Sequence, residues 1–277
     1  MVRSDLLSCC HLRICCQRVF ALPSVCPLCS ADMALSAFYG AGGAWHGALQ
    51  DFDNNMDSGL PIMTMEDMSS ALGAALGGEK LDIISFDACL MAAQGVAAAL
   101  SSHAHYLIGS ELSILVSSRI SDPWNHRAHV PHDGTSAMLP EEYGIHVVDD
   151  FVDCGGRDTM QTMSLISLDE YPAFSQAMAD VATLLTAAAA ADSPTSDLLV
   201  SALQVVNNLD SDYGSLGGQD NDMGSYGADV GAFLLRWAAL LDDRSSPEAA
   251  TAAAAARTAS GLFDTMIVHE RCGQDAV

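Results

Sequence analysis

The sequence predicts an α/β fold, and three observations carry that expectation. Short apolar runs alternate with longer segments of helical periodicity, the pattern of strands joined by crossover helices. Residues 81–86 (LDIISF) form an apolar run that stops at Asp87, Ala88 and Cys89 and passes straight into a small-residue helical pattern. The chain has 277 residues, half of them hydrophobic, enough to bury one large core or two modest ones.

The elements follow in order. Residues 35–39 read as a short strand that ends at a glycine loop, and residues 50–59 as an acidic, turn-rich loop. Thr64, with Asp67 three residues on, opens a helix that Gly77 and Gly78 stop. The strand at 81–86 comes next, then a helix over about 90–101 and a strand at 106–109. Residues 112–139 carry Pro123 and Pro131 and read as irregular loop. Tyr143, Val147 and Phe151 recur at helical spacing. Residues 162–166 form a strand, and Ser167 with Glu170 makes a capping box for a helix running to about Ala191. Beyond the break at Ser193-Pro194 come a helix near 197–207, a Gly/Asp-rich loop and an apolar helix over 229–241. The alanine-rich tail after Glu248 shows no organised site.

Composition excludes some functions. A net charge of −24, with Lys80 the only lysine, argues against nucleic-acid binding, because phosphates need cationic partners. Such a surface steers basic substrates inward and equally serves solubility. No apolar run reaches the ~18 residues expected of a membrane helix. Six of the nine cysteines lie at positions 9, 10, 15, 16, 26 and 29, which leaves only Cys89, Cys154 and Cys272 in the rest of the chain. Three are too few for a disulfide framework, and they do not fix a compartment. Arg13 and Arg18 interrupt every apolar stretch that could serve as a signal peptide. Cys26-x-x-Cys29 has no second matched pair and makes a weak zinc or redox motif.

Cys89 is the residue that points to chemistry. Ligands and reacting groups in α/β sheets gather beyond the carboxyl ends of strands. A cysteine at such a corner, near a helix N-terminus, sits where the thiolate is favoured. The competing reading is a buried cysteine that packs as a small hydrophobe. Two other constellations are weaker. Asp51, Asp53, Asn55 and Asp57 alternate like a calcium loop, but Met56 stands where the turn needs glycine. His126, His129 and His132 recur every third residue, beside Pro131, and suit an exposed segment better than a zinc site.

The segment FDACLMA at 86–92 resembles the nucleophile motif of the clostripain-like cysteine peptidases, relatives of caspases, gingipains and legumains. GGAWHG at 42–47 is similar to the glycine-tryptophan segment that follows the catalytic histidine of that family. YLIGSE at 106–111 and TMSLISLDEY at 162–171 look like its later strands. The resemblance runs from about Ala34 to the C-terminus and divides the chain into a Cys-rich leader, 1–33, and a peptidase domain, 34–277. It implies a caspase-like three-layer α/β/α sandwich with a mainly parallel sheet, residues 81–86 lying between the strands that end at Tyr39 and Gly109. The N-terminal strands of that fold would be missing, and the leader would be unstructured or derive from a wrong exon or start site.

The resemblance also implies a function: an endopeptidase cutting peptides or proteins after arginine or lysine. Cys89 would be the nucleophile, and the amides of Gly42 and Cys89 would form the oxyanion hole. Asp87 would floor the pocket for the basic side chain, with Ser110 on the neighbouring wall. Asp87 as a cap for a helix starting at Leu90 is the plainer alternative. Some members of the family use calcium, so one weak ion site is compatible with the resemblance; no other cofactor is expected. One departure matters most. Where the family has its catalytic histidine, this chain has Ala41, about the ~50 residues before the cysteine that caspases show. His46 lies beyond Trp45 and is expected to point away from the sulfur. A catalytically inactive pseudopeptidase that serves as a binding scaffold is therefore the alternative function.

Overall fold

The computed structural model describes residues 34–39, 42–49, 62–112, 114, 139–154, 162–191, 197, 230–244 and 246–272. Two compact units emerge, Met1–Asp169 together with Ile267–Val277, and Glu170–Met266. The leader, Ala41, the acidic loop at 50–59, the three histidines at 126, 129 and 132, and the helix expected near 197–207 (except Asp197) lie outside the described residues.

The first unit is built on a five-stranded sheet in the order β1-β2-β3-β4-β5. Its strands are β1 (Leu35–Tyr39), β2 (Leu81–Asp87), β3 (Ala104–Gly109), β4 (Thr162–Ser167) and β5 (Ile267–Cys272). The expected neighbours of β2 hold: it pairs in parallel with β1, Tyr39 opposite Asp87, and with β3, Ser85 opposite Ile108. The sheet is mixed: β1, β2, β3 and β5 run the same way, and β4 alone runs against its two neighbours. β5 was not foreseen, because it is short and carries His269, Glu270 and Arg271, the charged make-up of an edge strand.

Side chains alternate across the sheet. Leu35, Ile83, Ile108, Met163 and Leu165 share a face and pack with Val147, Val148 and Phe151 of helix α3 (Pro140–Cys154). Gly144 of α3 permits that packing, since an added Cβ would stand 2.5 Å from Leu165 Cδ1. Asp149 of the same helix accepts from His269 Nε2 and Arg271, each at 2.8 Å, and fastens β5. The His269 hydrogen bond, reinforced by Arg271, holds its carboxyl below the usual range against the opposing effect of burial. Phe38 and Phe86 alternate to the opposite side, where their rings stack 5.2 Å apart.

Helix α1 (Met65–Leu76) starts as its sequence dictates: Thr64 Oγ1 accepts from the Asp67 amide at 3.1 Å, and Gly77 closes it at φ 63°. Helix α2 is shorter than expected, Gln94–Leu100, with Ala93 as its N-cap. Asp87 therefore caps no helix at Leu90; it is the last residue of β2.

The second unit is helical: α4 (Tyr171–Ala191), α5 (Val230–Asp242) and α6 (Pro247–Met266). Ser167 ends β4 and does not cap α4, which starts at Tyr171 with Pro172 in its first turn, where a missing amide proton is harmless. The alanine-rich tail after Glu248 lies in α6. Ala249, Ala252, Ala253, Ala256 and Ala259 form a buried stripe at i, i+3, i+4 spacing, along which α4 and α5 both pack closely. Residues Tyr171–Ala190 are long and apolar enough to cross a membrane by length and composition alone. Much of that hydropathy comes from alanine, and Asp180 interrupts the segment.

Candidate active site

The carboxyl end of β2 does not pass directly into a helix. Residues 88–93 form a turn in which Leu90 adopts φ 64°, a left-handed conformation that branched or bulky side chains rarely take. Two backbone hydrogen bonds hold the turn to the segment after β3: Leu90 N–H to Leu112 O at 3.2 Å, and Ala92 N–H to Ser110 O at 3.0 Å. Gly109 makes room for it, because a Cβ there would lie 2.9 Å from the Ala92 nitrogen and the Met91 carbonyl carbon.

Cys89 is half-buried at the head of this turn. Its Sγ accepts from the Ile114 amide at 3.1 Å and faces the Ile114 carbonyl at 3.6 Å, to which a thiol can donate. The sequence reading places a helix N-terminus near this sulfur. Helix α2 begins only at Gln94, five residues beyond Cys89, so the amide of Ile114 is the group at hand. No local sequence signal could have identified it, because it is 25 residues away.

Gly42 reaches the same corner from the other side. An added Cβ would stand 2.0 Å from the Cys89 carbonyl oxygen and 3.0 Å from Met91 Sδ. Only a residue without a side chain permits that approach. The segment then turns through a 3-10 helix, Ala44–His46, closed by Gly43 N–H to Gly47 O at 2.9 Å. His46 is exposed on that turn. Residue 41, the expected place of the base, precedes Gly42 directly in the chain.

Asp87 is 8% exposed and lies on the Ile83–Ser85 face of β2 by strand alternation. That is the face against whose core Cys89 packs. Ser85 is fully buried, and its hydroxyl has no hydrogen-bond partner among the described residues. Removing an unpaired buried hydroxyl relieves a desolvation cost of about 1–3 kcal/mol. Ser85→Ala is therefore expected to leave stability unchanged or raise it in urea unfolding, and a loss above ~1 kcal/mol would reveal a partner for the hydroxyl.

Ser110 is not free to meet a ligand. It is fully buried, and its hydroxyl donates to Leu112 O at 3.0 Å and pairs with Thr162 Oγ1 at 3.0 Å. Among the described residues no group of His, Cys, Asp and Glu is arranged to hold a metal.

A model of the clostripain family matches residues 31–236. No curated protein matches the chain. Solved structures do. A secreted cysteine protease from Bacteroides thetaiotaomicron, in complex with an irreversible peptide inhibitor, is 20% identical with a TM-score of 0.41, covering 56% of this chain and 45% of that one. An inactive zymogen protease from Parabacteroides distasonis is 16% identical with a TM-score of 0.42, covering 88% and 57%. A cysteine protease from B. fragilis is 18% identical with a TM-score of 0.42, covering 80% and 76%. The chain thus spans under half the length of the first of these and little more than half of the second.

Proposed function

We propose, from the premise that this chain belongs to the clostripain family, that it binds peptides at an arginine or lysine through Asp87 and presents Cys89 as the nucleophile beside the bound residue. The observation that carries this reading is the contact of the Gly42 backbone with the Cys89 carbonyl. It brings the glycine segment and the cysteine turn to one corner, where the amides of Gly42 and Cys89 would donate to a developing oxyanion. In the reaction the sulfur attacks the scissile carbonyl carbon, the C–N bond breaks and the amine leaves with a proton. Water then hydrolyses the thioester. An imidazole normally takes the thiol proton and returns it to the amine.

Ala41 cannot do that. The chain with alanine at 41 is accordingly read as a peptide-binding site with little turnover, which favours a pseudopeptidase scaffold as the second reading. Ser110 would shape the wall of the pocket through the turn that it closes. Asp87, buried at the strand end, would pair with a guanidinium in a setting where charge-assisted hydrogen bonds are strong.

Binding separates this proposal from general attraction to an acidic protein. A fluorescent peptide ending in arginine is compared with one ending in leucine that has no arginine or lysine and carries a quaternary ammonium on its dye, so that net charge is equal, at ~0.15 M salt, where the screening length is about 8 Å. The arginine peptide should bind more tightly by anisotropy. Asp87→Asn should weaken it by ~2–5 kcal/mol and leave the leucine peptide unchanged. Equal affinities of the unmodified chain for both peptides would remove the basic specificity.

A further inference from the structure

Thr162, the first residue of β4, is buried, and its hydroxyl is saturated by one set of bonds. Its oxygen accepts from the Glu111 amide at 3.1 Å and the Leu112 amide at 3.2 Å, and it pairs with Ser110 Oγ at 3.0 Å. Because Ser110 donates to Leu112 O, the Thr162 proton goes to Ser110 Oγ. Both hydroxyls are then fully used. The turn they hold carries Leu112 O, which anchors Leu90, and Ser110 O, which anchors Ala92. It leads to Ile114, whose amide meets the Cys89 sulfur.

We infer that Thr162 is a positioning residue for Cys89, acting through Ser110 and the turn at 110–112 that presents the Ile114 amide to the sulfur. The inference rests on the reading of Cys89 as nucleophile. Residue 162 touches neither the sulfur nor the proposed pocket directly; its effect passes through backbone. A hydroxyl is required because it accepts from the Glu111 amide and shares the Leu112 amide with Ser110 Oγ. Serine can replace threonine in this role, whereas valine has threonine's shape but no acceptor.

Two measurements on the full chain separate this inference from the reading beneath it. Amide hydrogen exchange, resolved by peptide, tests the positioning. Thr162→Val should lower protection at 88–92 and 110–114 by about tenfold or more and spare the rest of β2 and β3, while Thr162→Ser should keep it. Unchanged exchange in Thr162→Val, or an equal loss across the whole sheet, would overturn the role. Should that variant not fold, Ser110→Ala, which cuts the same link from the other end, is read in its place; failure of both to fold would assign the pair to core stability and overturn the inference. Alkylation of Cys89 by iodoacetamide tests the underlying reading. The unmodified chain and Thr162→Ser should react at a rate distinct from that of an unstructured cysteine peptide, and Thr162→Val should move several-fold toward the peptide. If the unmodified Cys89 already reacts as the peptide does, the nucleophile reading fails even where the exchange result stands.

Discussion

Replacing Ala41 by histidine is expected to raise cleavage after arginine or lysine by about 10²–10⁴-fold over the unmodified chain, the range general acid–base catalysis supplies. The reason is local. The family resemblance makes position 41 the place of the base, and the next residue, Gly42, has its backbone against the Cys89 carbonyl. Cys89→Ala in the Ala41→His background should abolish the activity by removing the nucleophile. Asp87→Asn should reduce turnover of basic substrates selectively. Circular dichroism of Ala41→His must first match that of the parent, after which steady-state hydrolysis of arginyl and lysyl peptides gives the answer. A folded but inert Ala41→His would take away the mechanism. Brisk cleavage by the unmodified chain would instead mean that another group supplies the base.

The second large effect is expected from a single methyl group. Gly42→Ala puts a Cβ 2.0 Å from the Cys89 carbonyl oxygen, a backbone atom with no rotamer by which to escape. One of the two segments must move. Overpacking of a core typically costs ~1–3 kcal/mol, and this contact, backbone against backbone, should lie at or above the top of that range. Gly109→Ala, at 2.9 Å from the Ala92 nitrogen, should follow at lower cost because less displacement relieves it. Urea unfolding of both variants checks the order. A Gly42→Ala protein within ~0.5 kcal/mol of the parent would show that the glycine segment and the cysteine turn are not in contact.

Much of the site was legible because its signals are local. The apolar run at 81–86 followed by Asp87-Ala88-Cys89 reads as a strand that ends just before a cysteine, and β2 and its cysteine turn are found there, with β2 between β1 and β3. Thr64 and Gly77 delimit α1 through hydrogen bonds that close within four residues. Less was legible where partners are distant. β4 runs against both of its neighbours, and no residue in 162–167 encodes that direction. The helix expected from Leu90 was a propensity argument, and tertiary hydrogen bonds to Leu112 and Ser110 overrode it. The partners of Ser110 were equally hidden: its hydroxyl serves Leu112 and Thr162, the second of them 52 residues further on. The buried stripe of alanines in α6 was not legible either, because it acquires meaning only from the helices that close on it.

The left-handed Leu90 also sets a timetable. Its conformation is unfavourable by itself, on the order of 1–2 kcal/mol, so nothing within residues 88–93 would hold it during synthesis. The amide that meets the sulfur emerges 25 residues after Cys89, and the threonine that secures Ser110 emerges 52 residues after that serine. While the ribosome is still making β3, Cys89 lacks the amide that meets its sulfur in the folded chain. The turn at 110–112 gains its last side-chain partner only when Thr162 of β4 is made, so this corner is completed by segments far apart in the order of synthesis.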